Sequence, residues 1–362
     1  MDSVWIDGNF YPLDSYIYTP AKIKKLDTLE RDVISFMVDW LSGKEIFKIK
    51  TSGSTGRPTV ITIHRDQMMA SAEMTLNYLN VKKGRKALLC LHPSYIAGLM
   101  MIVRSIIGEL NLYVISPSSN PLKRNDLIFD FDLASFVPYQ ITEILNDTIS
   151  GDNFRKIRNV LIGGADISEI LIRKMRTYEN KIYQTFGMTE TVSHIALKRI
   201  SGIAESDSYE VLEGIQISKD DRGCLIVKGR ITGDERIITN DLVDLIDDKR
   251  FIWKGRIDQV INTGGIIINI DDLEGRIRDV FNVSNINNNF FVAGIDDFKL
   301  GEKVILVIET RNKVIEEEHI HGLLRQHLSR YEIPKKIYTL EDFVLLDTGK
   351  IDRKAILEKL GK

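Results

Sequence analysis

The sequence predicts an α/β protein of two domains, and three observations support this prediction. Between about residues 47 and 178, short apolar runs typical of buried strands alternate with helical segments, which is the pattern of a doubly wound sheet. From about residue 209 to 253 the chain changes to short alternating strands, which indicates a small β-rich subdomain. The length of 362 residues allows roughly two domains, each with its own core.

The individual elements follow from the apolar periodicity along the chain. Residues 65–80 place Met68, Ala72, Leu76 and Leu79 at helical spacing, whereas short continuous apolar runs favour buried strands. Strands are predicted at 47–50, 60–63, 86–91, 112–115, 133–137, 160–162, 224–227 and 251–253, and helices at 65–80, 98–108, 138–145 and 167–178. A separate α+β unit of about a hundred residues is predicted after the segment 255–258.

Composition and charge exclude several classes of function. A net charge of −2 gives no reason to expect binding to nucleic acid or to a membrane surface. No apolar run approaches the ~18 residues that a membrane span needs, and residues 1–5 do not resemble a signal peptide, so a cytoplasmic location is expected. Cys90 and Cys224 are far apart, and no HExxH or Cys/His cluster is present, so neither a disulfide framework nor a transition-metal site is expected.

The most informative segment is residues 51–58, Thr-Ser-Gly-Ser-Thr-Gly-Arg-Pro. Glycines leave backbone N–H groups accessible and hydroxyls add donors, so this loop could wrap the oxygens of a polyphosphate. It is not a Walker A loop, because no Gly-Lys-Ser/Thr follows the second glycine. A solvated surface turn is the alternative for the run alone, and the strands predicted on both sides favour a loop between sheet elements.

This octapeptide resembles the phosphate loop of the adenylate-forming superfamily, which comprises acyl-CoA synthetases, peptide-synthetase adenylation domains and luciferases. Segments resembling further motifs of the superfamily follow in the same order, at 161–165, 183–191, 238–242, 255–261 and 348–353. The resemblance implies a large N-terminal AMP-binding domain, residues 1–257, with doubly wound sheets and the small β subdomain. It also implies that this domain is shortened at the N-terminus and is followed by a small mobile α+β domain, residues 258–362.

The resemblance also implies which residues bind the cofactors ATP, Mg²⁺ and coenzyme A. Asp241 would accept hydrogen bonds from the ribose diol, and Arg256 would reach the ribose or a phosphate. Thr189 would contact the α-phosphate, and Glu190 would hold Mg²⁺, which favours carboxylate oxygens and bridges ATP phosphates. The remaining ATP-binding residues implied are Thr51, Ser52, Gly53, Ser54, Thr55, Gly56, Gly163, Gly164, Ala165, Thr185 and Gly187.

Two residues of the last motifs have roles in the implied mechanism. Lys350 would bridge the substrate carboxylate and the α-phosphate, and it is the candidate catalytic residue with Thr189 and Glu190. Asp258 would be the hinge about which the small domain rotates, so that closure delivers Lys350 when charge develops. Taken singly, without the other motifs, Lys350 is better explained as a solvated terminal lysine and Glu190 as an ordinary acid at a helix start.

The sequence departs from the family pattern at three positions. Thr59 stands where the phosphate loop usually has lysine, and Asn240 stands where a glycine usually precedes the ribose-binding aspartate. Tyr95 occupies the place of a histidine that often precedes the glycine of its motif, so aromatic stacking could persist there but imidazole chemistry could not.

Within the superfamily the chain resembles most the compact o-succinylbenzoate–CoA ligases of menaquinone biosynthesis, through residues 137–140 and 189–194. The implied reaction forms an acyl-adenylate and pyrophosphate from a carboxylic acid and MgATP, and the thiol of CoA then displaces AMP. An aromatic dicarboxylate needs a donor or cation for its second carboxylate. Tyr95, Ser193 and His194 are the candidate pocket residues, with packing under the active site as the alternative for the last two.

Other functions stay open at this point. They are a CoA ligase for another aryl or short acyl acid, a stand-alone adenylation enzyme that loads a carrier protein, and a nucleotide-binding relative without catalysis. The expected partner is a small-molecule carboxylic acid, with no nucleic acid and no membrane span, and no oligomeric state is predicted.

Overall fold

The computed structural model describes residues 3–50, 60–124, 130–165, 167, 169–202, 206–286, 288–310, 316–344 and 351–361. These residues form two compact units. The first runs from the start of the chain to Thr239 and includes Asp244–Trp253, and the second consists of Asn240–Val243 and the chain from Lys254 onward. The domain division after residue 257 and the mobility of the second domain stay predictions.

The first 256 residues contribute a large sheet, a small hairpin sheet and seven α-helices among the described residues. The strands are β1 (Ser3–Ile6), β2 (Asn9–Pro12), β3 (Ile46–Lys50), β4 (Val60–His64), β5 (Lys86–Leu89), β6 (Asn111–Val114), β7 (Leu133–Phe136), β8 (Asn159–Ile162), β9 (Lys181–Met188), β10 (Ser193–Arg199), β11 (Tyr209–Val211), β12 (Gln216–Lys219), β13 (Cys224–Lys228), β14 (Ile237–Leu245) and β15 (Arg250–Arg256). The helices are α1 (Asp14–Ile17), α2 (Thr28–Leu41), α3 (Arg65–Leu79), α4 (Ile96–Ile107), α5 (Pro138–Leu145), α6 (Thr148–Arg155) and α7 (Glu169–Arg176).

The large sheet has 13 strands in the order β12-β13-β14-β15-β11-β10-β9-β8-β7-β5-β6-β1-β2. Its centre is parallel, because β1, β6, β5, β7, β8 and β9 pair in the same direction. The strands between residues 209 and 256, which the sequence assigned to a small β-rich subdomain, extend the antiparallel side of this sheet. The hairpin of β9 and β10 makes the transition from parallel to antiparallel pairing.

The doubly wound architecture is confirmed by the packing on the two faces of the parallel strands. In β5, Ala87 and Leu89 pack with α2, α3 and α4 residues, whereas Leu88 packs with residues of α5, α6 and α7. Alternate residues of a strand point to opposite faces, so one strand serves two cores. Strands β5, β7 and β8 are therefore almost entirely buried, as parallel strands covered by helices on both sides should be.

The second unit is an α+β structure, as the sequence predicted. Its elements are β16 (Val260–Thr263), β17 (Ile266–Asn269), α8 (Ile270–Val283), β18 (Phe290–Asp297), β19 (Gly301–Glu309), α9 (Glu317–His327), β20 (Lys336–Leu340) and α10 (Arg353–Lys359). The sheet order is β17-β16-β19-β18, with β20 parallel to β19. Helices α8 and α9 supply apolar side chains to one core, and Ile356 of α10 belongs to another.

Most predicted elements lie where the sequence placed them. Strands β3 and β4 pair with each other on either side of residues 51–59. Pro138 is the first residue of α5, where a backbone N–H has no acceptor within the helix, so its absence costs no hydrogen bond. No helix among the described residues is long and apolar enough to cross a membrane.

Candidate functional site

The segment Gly187–Glu190 lies at the tip of the β9–β10 hairpin. Strand β9 ends at Met188, a 3₁₀ turn covers Thr189–Thr191, and β10 begins at Ser193. The hydroxyl of Thr191 accepts a hydrogen bond from the Met188 N–H at 3.0 Å and lies 2.8 Å from the Ser193 carbonyl oxygen. Glu190 is an exposed residue of this turn, so its carboxylate is available to a metal ion or phosphate.

The backbone of this turn is strained directly after Thr191. Val192 and Ser193 have φ angles of 53° and 98°, in the region that favours glycine. A β-branched residue with positive φ is a true outlier, and such outliers cluster at functional sites because surrounding structure has to hold them. Here α3 holds the turn, since the Ser71 hydroxyl donates to the Val192 carbonyl oxygen at 2.9 Å.

Gly187 lies where the two strands of the hairpin approach most closely. A Cβ atom at this position would be 2.1 Å from the Ser193 carbonyl oxygen and 2.5 Å from the His194 Cα. Both obstacles are backbone atoms, which cannot rotate away as a side chain would. The hairpin geometry therefore requires glycine at the start of the Gly-Met-Thr-Glu segment.

Replacing Gly187 with alanine is expected to destabilise the protein by about 1–3 kcal/mol, because the added methyl group overpacks a rigid backbone contact. The urea unfolding midpoint measures this effect. The control is Gly322→Ala in α9, where an added Cβ meets no atom within 4 Å and where alanine should stabilise the helix by about 0.5–1 kcal/mol. Equal midpoints for the two variants would show that the hairpin tolerates a side chain at Gly187.

Gly163 and Thr185, from two different motifs, come into contact at the ends of β8 and β9. A Cβ at Gly163 would lie 2.1 Å from the Thr185 Oγ1, which donates to the Ile162 carbonyl oxygen at 3.2 Å. Gly164 has a φ of +88°, and Ala165 is exposed. In doubly wound sheets, ligands bind at the carboxyl ends of the parallel strands. The missing Cβ at Gly163 therefore makes room for the Thr185 side chain itself, at the edge of the sheet where a ligand would lie.

Ser193 and His194 contact a residue that the sequence analysis did not select, Arg104 of α4. The Arg104 Nη2 donates to the Ser193 Oγ at 3.1 Å and makes a long contact of 3.5 Å with the His194 Nδ1. Arg104 is only 1% exposed and His194 only 4%. The sequence did contain a signal, because Arg104 is the single charged residue in an otherwise apolar helix.

The Arg104 guanidinium has no acidic partner among the described residues, and its buried Nε–H has no acceptor there. Burial lowers the pKa of Arg104 to about 9, so the group stays charged at neutral pH. Burial, followed by the nearby Arg104 charge, lowers the pKa of His194 well below its usual value and keeps its imidazole neutral. The result is one buried positive charge without a compensating anion, an expensive arrangement unless a ligand supplies that anion.

The described interactions do not connect Tyr95, the third predicted pocket residue, to this cluster. It precedes the first residue of α4 and its side chain is 55% exposed. No hydrogen bond among the described residues joins it to Ser193 or His194. Its role as a pocket residue stays a prediction.

The second unit carries Asp241, Arg256 and Asp258. The Arg256 Nε and Nη2 donate to the two Asp258 carboxylate oxygens at 2.9 and 2.8 Å. This hydrogen-bonded pair raises the pKa of Arg256 and lowers that of Asp258, and the charge of Asp241 also raises the pKa of Arg256. Arg256 thus spends two of its five N–H donors on the predicted hinge residue, and the other three are not used in this ion pair.

Two groups of predicted residues lie outside the described residues. They are the phosphate loop with Thr51, Ser52, Gly53, Ser54, Thr55, Gly56 and Thr59, and the candidate catalytic Lys350. Among the residues that the structure describes, no group of three or more His, Cys, Asp or Glu side chains could hold a metal ion. A magnesium ion bound with a nucleotide needs only one or two protein carboxylates, because phosphates and waters complete its coordination. The exposed Glu190 fits that requirement.

Comparisons with known proteins agree on one family. The sequence profile of the AMP-binding enzymes matches residues 45–215. Two curated relatives are 2-succinylbenzoate–CoA ligases. That of Staphylococcus epidermidis is 25% identical over 330 residues (84% of this chain, 68% of the relative), and that of Listeria monocytogenes is 25% identical over 338 residues (86% and 69%).

Solved structures show the same relationship. An acyl-CoA synthetase (AMP-forming)/AMP-acid ligase II-like protein from Dyadobacter fermentans is 40% identical, with a TM-score of 0.63, and the match covers 93% of this chain and 97% of that one. The o-succinylbenzoate coenzyme A synthetase of Bacillus subtilis, in complex with ATP and magnesium, shares the fold. Its TM-score is 0.61 at 21% identity, and the match covers 85% of this chain and 68% of that one.

Proposed function

The chain belongs to the AMP-binding enzyme family, and we propose that it is an ATP-dependent acid–CoA ligase whose acid is o-succinylbenzoate. A carboxylate of the acid attacks the α-phosphate of ATP, which gives the acyl-adenylate and pyrophosphate. The thiol of CoA then attacks the acyl carbon, which gives the thioester and releases AMP. The relatives named 2-succinylbenzoate–CoA ligase support this substrate. A small-molecule acid as partner and a cytoplasmic location are part of the proposal.

The observation that carries the choice of acid is the buried, uncompensated charge of Arg104. A dicarboxylic acid keeps one carboxylate after the other has been activated, and that second carboxylate must be desolvated in the acyl pocket. A guanidinium offers planar, charge-assisted hydrogen bonds to such a group. Arg104 already contacts Ser193, which directly follows the Gly187–Val192 turn, so the cation lies beside the segment assigned to adenylate binding.

The residues for the nucleotide are proposed from the family motifs that they match. The edge formed by Gly163, Gly164 and Thr185 accepts the flat base, and Asp241 accepts hydrogen bonds from the ribose. Glu190 and Thr189, at the hairpin tip, hold the metal ion and the α-phosphate. Magnesium held by Glu190 would neutralise the charge that develops during transfer.

Mass spectrometry tests the proposal directly. The enzyme is incubated with MgATP, CoA and o-succinylbenzoate, with benzoate and short fatty acids as parallel substrates. A CoA thioester formed from o-succinylbenzoate alone is the expected result. Thioester from another acid instead would keep the reaction and overturn the substrate. An adenylate without thioester would point to a carrier protein as the thiol donor, and the absence of both products would contradict the proposed ligase.

A further inference from the structure

We propose that Thr75 and His194 are positioning residues that hold Arg104 ready for the second carboxylate of the acid. This inference rests on the proposed function and adds two residues that act through Arg104. Thr75 lies on α3, one helical turn after Ser71, and it is fully buried. Its role follows from the direction of the hydrogen bonds that it makes.

The hydroxyl of Thr75 determines which nitrogen of His194 carries the proton. Thr75 Oγ1 lies 2.9 Å from the carbonyl oxygen of Ser71, one turn earlier on α3, and 2.9 Å from the His194 Nε2. A carbonyl oxygen can only accept, so Thr75 donates its single proton to Ser71. The same hydroxyl oxygen must then accept from His194, which places the imidazole proton on Nε2.

With the proton on Nε2, the Nδ1 atom of His194 presents a lone pair to Arg104. The Arg104 Nη2 is 3.5 Å from this Nδ1 and 3.1 Å from the Ser193 Oγ. The opposite tautomer would direct an N–H at a guanidinium, and a protonated imidazole would place a second positive charge beside it. Thr75 thus selects the one form of His194 that attracts Arg104.

The arrangement leaves specific donors for a ligand. Ser193 accepts from Arg104, and its hydroxyl proton has the His194 Nδ1 lone pair as an acceptor at 3.5 Å, a long contact that a carboxylate would displace. The Arg104 Nε–H has no acceptor among the described residues. A carboxylate has two acceptor oxygens and could take both kinds of donor. If Thr75 did not fix His194, the guanidinium would lose its contact with the His194 Nδ1.

Enzyme kinetics test this role with Thr75→Val, which keeps the shape of the side chain and removes its hydroxyl. The KM for o-succinylbenzoate is expected to rise about tenfold, the effect of losing one buried hydrogen bond that orients a charged group. The kcat and the KM for ATP should stay within about twofold of the wild-type values, because Thr75 acts only on the group that binds the acid. A twofold change corresponds to less than about 0.5 kcal/mol. Thr75→Ser, which restores the hydroxyl, should recover the wild-type KM.

Two further controls separate positioning from general damage. Thr142→Val removes the same type of hydroxyl-to-carbonyl bond from α5, where the group is exposed, and should leave every constant unchanged. Monocarboxylate analogues that each lack one carboxylate, 4-oxo-4-phenylbutanoate and 2-butyrylbenzoate, show whether the second carboxylate is involved. The analogue that is turned over should have the same KM with wild-type enzyme and with Thr75→Val.

The tautomer itself is measured by long-range ¹H–¹⁵N NMR on protein labelled at histidine, with His194→Gln to assign the signal. The wild type should show the neutral Nε2–H form, and Thr75→Val should shift or broaden this signal. A protonated or Nδ1–H imidazole in the wild type would overturn the inference. So would an equal rise in KM for the dicarboxylate and the monocarboxylate, or a failure of Thr75→Ser to recover binding.

A failure of the proposed function can be recognised separately. If the wild type forms no thioester from o-succinylbenzoate, the substrate assignment is wrong, and Thr75 then has no second carboxylate of that acid to serve. The KM comparison is in that case repeated with the acid that is turned over. An acid without a second carboxylate would overturn the role in carboxylate binding. For an acid that has one, an unchanged KM in Thr75→Val would overturn the positioning role even if the NMR tautomer is Nε2–H.

Discussion

Replacing Lys350 with alanine is expected to abolish acyl-adenylate formation while thioester formation from supplied acyl-adenylate and CoA continues. Adenylyl transfer is accelerated mainly by positioning and by neutralising charge on the transferring group, and removal of a single such donor costs about 10²–10³ in rate. The second step takes place at the acyl carbon and breaks no bond to phosphorus, so it does not need a lysine that positions the transferring phosphoryl group. Pyrophosphate release measures the first half-reaction and CoA thioester the second.

The control for this prediction is Lys354→Ala. Lys354 lies four positions further along, is exposed on α10, and should have no effect on either half-reaction. An equal loss of both half-reactions in Lys350→Ala would contradict a role confined to adenylation. It would indicate that the lysine also serves thioester formation or the binding of the adenylate.

Replacing Arg104 with methionine is expected to weaken binding of o-succinylbenzoate and, at the same time, to stabilise the protein without ligand. Truncating one partner of a buried, hydrogen-bonded charge pair costs about 2–5 kcal/mol, which corresponds to roughly a 30-fold to several-thousand-fold higher KM. In the free enzyme the same change removes a buried charge without a partner, and replacement of such groups by apolar ones of similar volume is often stabilising by about 1–4 kcal/mol. Opposite effects on stability and binding are typical of a residue kept for function.

Thermal unfolding with and without o-succinylbenzoate measures both effects for Arg104. The melting temperature of Arg104→Met should exceed that of the wild type without ligand and should no longer rise when the acid is added. Arg104→Lys, which keeps the charge but loses the planar fork, should bind with intermediate affinity. A variant that is destabilised and that loses dicarboxylate and monocarboxylate acids equally would show that Arg104 has only a structural role.

Local sequence patterns were sufficient for most elements because their causes are local. The apolar spacing of Met68, Ala72, Leu76 and Leu79 fixes the buried face of α3 whatever packs against it. The continuous apolar run of β5 requires cover on both faces, and this indicated a parallel strand between helices. The extension of the large sheet by strands β11–β15 was not predicted, because strand order depends on pairing between distant segments.

The candidate site likewise has features that the local sequence determined and features that only the fold decided. The sequence alone identified the Gly-Met-Thr-Glu segment by its resemblance to a family motif, whereas the hairpin of β9 and β10 that carries it was not predicted. Only the tertiary structure brought Arg104 to Ser193, 89 positions later in the chain, and joined Thr75 to His194 across 119 positions. It also paired Arg256 with Asp258, two residues that the sequence had assigned to separate roles. Periodicity and turns are set by neighbours along the chain, whereas the compensation of a buried charge depends on which side chains the fold places beside it.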